Sequence, residues 1–211
     1  MLPPTIPIFP LPNAVLFPNV FMPLHIFEPR YRTMVSDALA GDRIIGMMLL
    51  KPGFEANYEG RPDVFAVGCA GLVTHSEPLP DGRFNIVLRG IEKFRLSDED
   101  HSKTYRLAQV EPIPEPVLEV DRPQLRRDRQ RLEALLAAAI ERGGAEPRFP
   151  PAVPDEDLVN ALAQYLALEP LERQALLEQD GVLARCRALI ELLEIRTIAP
   201  RGTSWKGGSV H

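Results

Sequence analysis

The spacing of apolar residues changes once along the chain, and the change divides it. Up to about residue 113 apolar residues alternate with polar ones or come in short runs, as strands require. Thr5-Ile6-Pro7-Ile8-Phe9 alternates, and Ala14-Val15-Leu16-Phe17 follows after Leu11-Pro12-Asn13. Ile44–Leu50 is a continuous apolar run, predicting a fully buried strand. Val64–Val73 predicts another, with Gly68 and Gly71 marking a bend or a close backbone approach. Pro80-Asp81-Gly82 predicts a hairpin turn into Phe84–Arg89. Beyond Gly90 comes Ile91–Leu96, with Phe94 and Leu96 on one side and Lys93 and Arg95 on the other; Tyr105–Val110 closes the set. One helix interrupts the strands. Pro29 suits a first helical position, and Glu28 before it complements the positive helix end. Tyr31, Met34, Val35, Ala38 and Leu39 then share one face, which turns Arg30, Thr33 and Asp37 outward, and Gly41 reads as a left-handed stop.

Past the prolines of 112–123 the period becomes helical. Leu125, Leu132, Leu136, Ala139 and Ile140 form one stripe, ended by Gly143-Gly144. Asp155 is positioned to cap a helix carrying Leu158, Leu162, Tyr165 and Leu166. Pro170 opens a short helix that Asp180-Gly181 ends, and Val182, Cys186, Leu189 and Leu193 mark the last one. Strands that close on themselves and a set of short-linked helices give an α+β chain: a β-barrel over 1–117, a C-terminal helical bundle over 118–200 and a loose tail over 201–211. Helices and strands do not alternate, so a doubly wound sheet is excluded.

Composition narrows the function. The 22 prolines crowd at 3–29, 112–123 and 147–154, and prolines that dense are tolerated only at strand starts, edges and bulges. A net charge of −5 argues against a broad nucleic-acid footprint. Within Arg122–Arg131, Arg126, Arg127 and Arg131 spread around the polar arc with Asp128 and Glu133 between or beside them, which reads as a solvated helix face. Cys69 and Cys186 sit in apolar surroundings and read as buried free thiols of a reducing compartment. The N-terminus has no basic or continuous apolar region, and Ile44–Leu50 is too short to cross a bilayer, so the expected location is cytoplasmic with no membrane partner.

Recognisable catalytic patterns are missing. There is no Gly-x-x-x-x-Gly-Lys-Ser/Thr phosphate loop, no His-Glu-x-x-His and no Cys-x-x-Cys, and the four histidines are scattered. His75 and Ser76 are adjacent, so on a strand they point to opposite faces. Gly202-Thr203-Ser204-Trp205-Lys206 fails as a nucleophile elbow. The expectation is a protein that is not an enzyme and holds neither cofactor nor metal.

One segment points to binding. Leu16-Phe17-Pro18-Asn19-Val20-Phe21-Met22-Pro23-Leu24 is strongly apolar, yet its prolines prevent a long regular strand. It reads either as core or as a groove lined by Phe17, Phe21 and Met22; large apolar patches stay exposed where something binds, and Met suits a groove that accepts varied sequences.

The order of these pieces resembles a known family. Ile8-Phe9-Pro10-Leu11-Pro12, Val15-Leu16-Phe17-Pro18 and Met22-Pro23-Leu24-His25-Ile26-Phe27-Glu28 are similar to the opening of Lon protease N-terminal domains. Val67-Gly68-Cys69-Ala70, Leu79-Pro80-Asp81-Gly82, Val87-Leu88-Arg89-Gly90 and Phe94-Arg95-Leu96 continue it. Gln174-Ala175-Leu176-Leu177-Glu178, Arg185, Leu189 and Leu193-Glu194 carry it into the helices, so it covers about residues 5–195. The resemblance implies a PUA-like barrel followed by a helical bundle, binding unfolded or degron-bearing polypeptide. It also implies contact at the charged start of the first helix, through Glu28 and Arg30. In the full protease this module precedes an ATPase and a peptidase. The chain ends at His211, and Tyr31 and Arg32 look like the stand-alone members, so the expectation is a module that holds polypeptide, or an adaptor to a protease or chaperone. RNA binding is the alternative, since PUA-like barrels elsewhere bind RNA; the acidic balance counts against it.

Overall fold

A computed structural model describes residues 2–57, 60–141 and 153–198. Among these residues six strands form one mixed sheet: β1 (Thr5–Leu11), β2 (Phe21–Ile26), β3 (Ile44–Leu49), β4 (Val67–Pro78), β5 (Phe84–Asp100) and β6 (Arg106–Ile113). Helix α1 (Pro29–Ala40) lies between β2 and β3, and α2 (Arg122–Glu141), α3 (Asp155–Tyr165), α4 (Pro170–Leu177) and α5 (Gly181–Ile198) follow the strands. The sheet runs β2-β5-β4-β3-β1-β6, and β6 also pairs with β5, so the ladder returns to a strand it has already passed. The length of β5 allows this. Phe84–Arg89 pairs with β2, and the stretch from Lys93 to Asp100 pairs with β6. Only β1 and β3 run parallel; the other pairs are antiparallel.

Several expectations from the sequence need correction. Ala14–Phe17 is not a strand. Val15, Leu16 and Phe17 are buried, but Pro12 and Pro18 flank them, and the Phe17 N–H donates to Gln164 Oε1 at 3.0 Å instead of to a ladder. Gly90 does not divide two strands, because β5 passes straight through it. A Cβ at Gly90 would lie 2.0 Å from the Phe17 carbonyl oxygen. That bare backbone exchanges two hydrogen bonds with the 17–20 turn, Asn19 N–H to Gly90 O and Gly90 N–H to Val20 O, both 2.9 Å. Gly41 ends α1 at φ −116°, and the left-handed residue is Arg43, at φ 61°. Asp155 is the first residue of α3 rather than its cap, which is Pro154; Arg129 takes the Asp155 carboxylate at 2.8 Å. Tyr165, expected in the apolar stripe of α3, is largely exposed. Ala139 and Ile140 lie outside the described side chains, and Gly143-Gly144 and the tail 201–211 outside the described residues.

Other expectations hold. Tyr31, Met34, Val35 and Ala38 are the buried face of α1, and five of the six residues of β3 are buried. α5 packs against α2, α3 and α4. One apolar cluster runs without a break from Phe17, Met34, Cys69 and Leu88 among the strands to Leu125, Val159, Leu176 and Leu189 among the helices. A second cluster, around Ile6, Ile8, Met48, Phe94 and Ala108, fills the other side of the sheet. The change of period near residue 117 is therefore a change of secondary structure across a continuous core.

Candidate functional site

Burial alternates along β2, because successive side chains leave a strand on opposite faces. Met22, Leu24 and Ile26 turn toward the core. Phe21, Pro23 and His25 turn out, and Phe27 continues the row; Phe21 is 50% and Phe27 60% exposed. The His25 and Phe27 rings stack with centroids 6.3 Å apart. On one side of β2 lies β5; no strand among the described residues lies on the other. Helix α3 holds the near end of this row. Gln164 Nε2 and the Tyr165 hydroxyl both donate to the Phe21 carbonyl, at 3.0 and 2.7 Å, and Asn160 Nδ2 donates to the Pro18 carbonyl at 3.1 Å. These bonds tie α3 to the proline-broken segment ahead of β2 and to the first residue of β2. The Tyr165 ring is thereby tethered at Phe21 while staying open to solvent.

Of the three apolar candidates, only Phe21 stands on the surface. Phe17 is wholly enclosed beneath the Arg185 guanidinium, 5.5 Å from its ring centroid, so it is core and lines no groove. Met22 is half-buried with its side chain against the core. Pro23, His25, Phe27 and Tyr165 were not singled out from the sequence, although the alternation from Phe21 to Phe27 carries the signal for the first three.

Glu28 and Arg30 lie at the other end of the row. Arg30 Nε donates to Glu28 Oε2 at 3.0 Å, and its guanidinium sits 4.6 Å above the Tyr31 ring. Arg30 is thus half-buried, where the helical face predicted it outward; stacking on the neighbouring ring draws it in. At roughly 3.3 Å per residue, the seven steps from Phe21 to Glu28 span on the order of 20 Å. The candidates mark the two ends of a track rather than one spot. Farther along α1, Asp37 accepts the Tyr105 hydroxyl at 2.8 Å and Lys103 Nζ at 3.1 Å, and these two bonds hold its carboxyl below the usual range. Burial, with Asp37 adding to it, pushes the Tyr105 phenol up to about 12.

A cleft of about 660 Å³ separates strands from helices, lined by Pro18, Ile91, Lys93, Glu115, Asn160 and Val182 among others. Buried charges form its floor. Lys93 Nζ meets Glu115 at 2.8 Å and the carbonyls of Leu177 and Gln179 at 2.9 and 2.8 Å. Arg185 grips both oxygens of Glu115 at 2.7 and 2.9 Å, the Asn160 side-chain oxygen at 2.7 Å and the Leu176 carbonyl at 3.0 Å. Both cations thus sit on carbonyls at the C-terminal end of α4, where the helix dipole favours them. Burial lowers the Lys93 pKa, and Glu115 partly offsets it. All three Lys93 protons are engaged, so the ammonium is a fastener rather than a nucleophile. Desolvation pushes the Cys69 and Cys186 thiols up to about 12, which keeps them as inert thiols. Among the described residues no group of three His, Cys, Asp or Glu side chains gathers as a metal site would require, and no helix is long and apolar enough to cross a membrane.

Residues 5–194 match the family model of the ATP-dependent protease La (LON) substrate-binding domain. The chain belongs to this family. Among Lon relatives, it is 29% identical to Lon protease 2 of Syntrophobacter fumaroxidans over 188 residues, covering 87% of the chain and 23% of the relative. It is 28% identical to the Lon protease of Dictyoglomus thermophilum over 215 residues, covering 92% and 26%. The chain thus spans about a quarter of the length of these Lon proteases. Its fold is that of solved Lon N-terminal domains. The N-terminal domain of the Mycobacterium avium complex Lon protease superposes with a TM-score of 0.64 at 15% identity, covering 90% of this chain and 98% of that one. The Lon N-terminal domain protein from Xanthomonas campestris gives 0.58 at 24% identity, covering 90% and 97%.

Proposed function

We propose that this chain is a non-catalytic module that binds unfolded or degron-bearing polypeptide along the outer face of β2, as a holder or as an adaptor to a protease or chaperone. The exposed row Phe21-Pro23-His25-Phe27, with Tyr165 at one end and Glu28–Arg30 at the other, carries this reading. Two half-exposed phenylalanines, one opening and one just past a strand that has one side unpaired among the described residues, are unusual on a protein surface unless they meet a partner. An extended polypeptide matches the straight geometry of the row. In the finer architecture we propose, the returning ladder is a PUA-like barrel and α2–α5 are a helical bundle. Cys69 and Cys186, both free and buried, fit work in the reducing cytoplasm.

Fluorescence anisotropy with a labelled, permanently unfolded polypeptide tests the reading. Phe21→Ser combined with Phe27→Ser removes two rings that are about half available for contact. A fully buried Phe is worth about 1.5–3 kcal/mol, so the pair should weaken binding by at least about tenfold with no loss of thermal stability. Affinity that is steeply salt-dependent for RNA, with no capture of polypeptide, would sink the proposal.

A further inference from the structure

Two arginines beyond Arg30 share one carboxylate. Arg106, at the start of β6, is buried and takes Glu99 in a fork, with Nε on Oε2 at 2.8 Å and Nη2 on Oε1; its Nη1 donates to the Pro62 carbonyl at 2.7 Å. Arg61 reaches the same Glu99 only at 3.8 Å, beyond hydrogen-bond range, and its buried Nη1 has no acceptor. The bidentate fork leaves Arg61 with a Coulombic contact alone. The Arg61 side chain is 31% exposed, yet its Nη1 is out of water and unbonded, and an incoming acceptor relieves the cost of that one donor.

Arg61 and Arg106 line a cavity of about 230 Å³ together with Arg30, Tyr31, Thr104 and Tyr105. Among the described residues, the acids that meet this wall are engaged: Glu99 with Arg106, Glu28 with Arg30, Asp37 with Tyr105 and Lys103, and Asp100 with the Ser102 N–H. The volume exceeds that of several waters, each of which occupies about 30 Å³ in the liquid, and suits one acidic group with a short stem.

We propose that this cavity seats a carboxylate, with Arg61 as the donor that binds it, while Arg106 and Arg30 offset the charges of Glu99 and Glu28 beside it. Arg30 belongs both to the cavity and to the end of the β2 row, so a polypeptide lying along that row delivers its acidic side chain or its chain end here. This inference rests on the polypeptide reading for its source of carboxylate, and a small free carboxylate is the other source.

The test uses the whole chain and two probes. Succinate is titrated while the Arg61 Nε–H signal is followed by NMR. In parallel, ten-residue peptides of alternating Phe and Ser are compared with a free or an amidated C-terminus. The free-acid peptide should bind about tenfold tighter than the amide, the gain expected of one charge-assisted hydrogen bond. Arg61→Gln should erase the gain without altering the affinity for the amidated peptide. Arg61→Lys, which keeps the charge and loses the fork, should keep only part of it. Displacement of the gain by succinate assigns the seat to free carboxylates as well, and failure to displace it assigns the seat to polypeptide. Equal binding of acid and amide, or a gain that survives Arg61→Gln, overturns the seat and leaves the polypeptide reading standing. If no peptide binds while succinate moves Arg61, the seat stands and the polypeptide reading fails; if neither happens, both fail.

Discussion

Glu115 fastens the strands to the helices, and its removal should be the most damaging single change in the cleft. The side chain is 9% exposed, with Lys93 of β5 on one oxygen and Arg185 of α5 on both. Glu115→Ala leaves two buried cations without the carboxylate that, among the described residues, bonds them both. Breaking a buried ion pair from one side costs about 3–5 kcal/mol, and the remaining carbonyls of Leu176, Leu177 and Gln179 hold the expected loss near 4 rather than above 5 kcal/mol. Glu115→Gln keeps one acceptor and should lose about 2–3 kcal/mol. Replacing the three charges together, as Lys93→Met, Glu115→Leu and Arg185→Met, should restore stability to within about 2 kcal/mol of the parent, because a packed apolar cluster often equals a buried ionic one. Urea unfolding followed by far-UV circular dichroism measures all three. The same melts carry a pH signature. The Lys93 pKa is lowered on folding, so the unfolded chain binds the proton that the folded one gives up, and stability rises as pH climbs from that lowered value toward 10.5. Lys93→Met should flatten this rise. A loss under about 1 kcal/mol for Glu115→Ala would mean that water reaches both cations and that Glu115 is not the fastener.

The remaining predictions are more local. Gly90→Ala forces a methyl group onto the Phe17 carbonyl and should cost about 2 kcal/mol or more in the same unfolding assay, with the 17–20 turn displaced. Cys69 and Cys186 should react with a thiol reagent only after denaturant is added, because burial pushes both up to about 12. The difference between the ultraviolet titrations of the parent and of Tyr105→Phe should show one phenol with a midpoint near 12, and Asp37→Asn should lower it. That pKa is raised on folding, so its contribution to stability is complete below about pH 10 and is lost as pH rises toward 12.

What the sequence made legible was whatever is carried by local period. The buried face of α1 and the buried run of β3 follow from spacings of three to four and from an uninterrupted apolar stretch. Gly90 looked like a break because a glycine inside a strand is ambiguous until the partner backbone is seen. Its partner, the 17–20 turn, lies some seventy residues away. Ala14–Phe17 has strand composition, but its hydrogen-bond acceptor is Gln164, on a helix near the other end of the chain. Lys93 falls on the side of β5 opposite Phe94; it is buried because helices cover that face, and no strand pattern reports that. The Lys93–Glu115–Arg185 cluster joins three distant segments and left no sequence signal. Of the candidate residues, Phe21 was proposed from an apolar, proline-broken run, and Glu28 and Arg30 from what the family resemblance implies for the charged helix start. Arg61, Arg106 and Tyr165 arrive there only through folding.

Polypeptide lying along β2 would touch one row from Phe21 to Arg30. Amide chemical-shift mapping on addition of an unfolded polypeptide tests this placement most directly, because it reports position without altering the protein. The largest shifts should run from Phe21 to Arg30 and include Tyr165. Shifts confined to the cleft, at Ile91, Val117 and Val182, with Phe21–Phe27 unmoved, would contradict this placement.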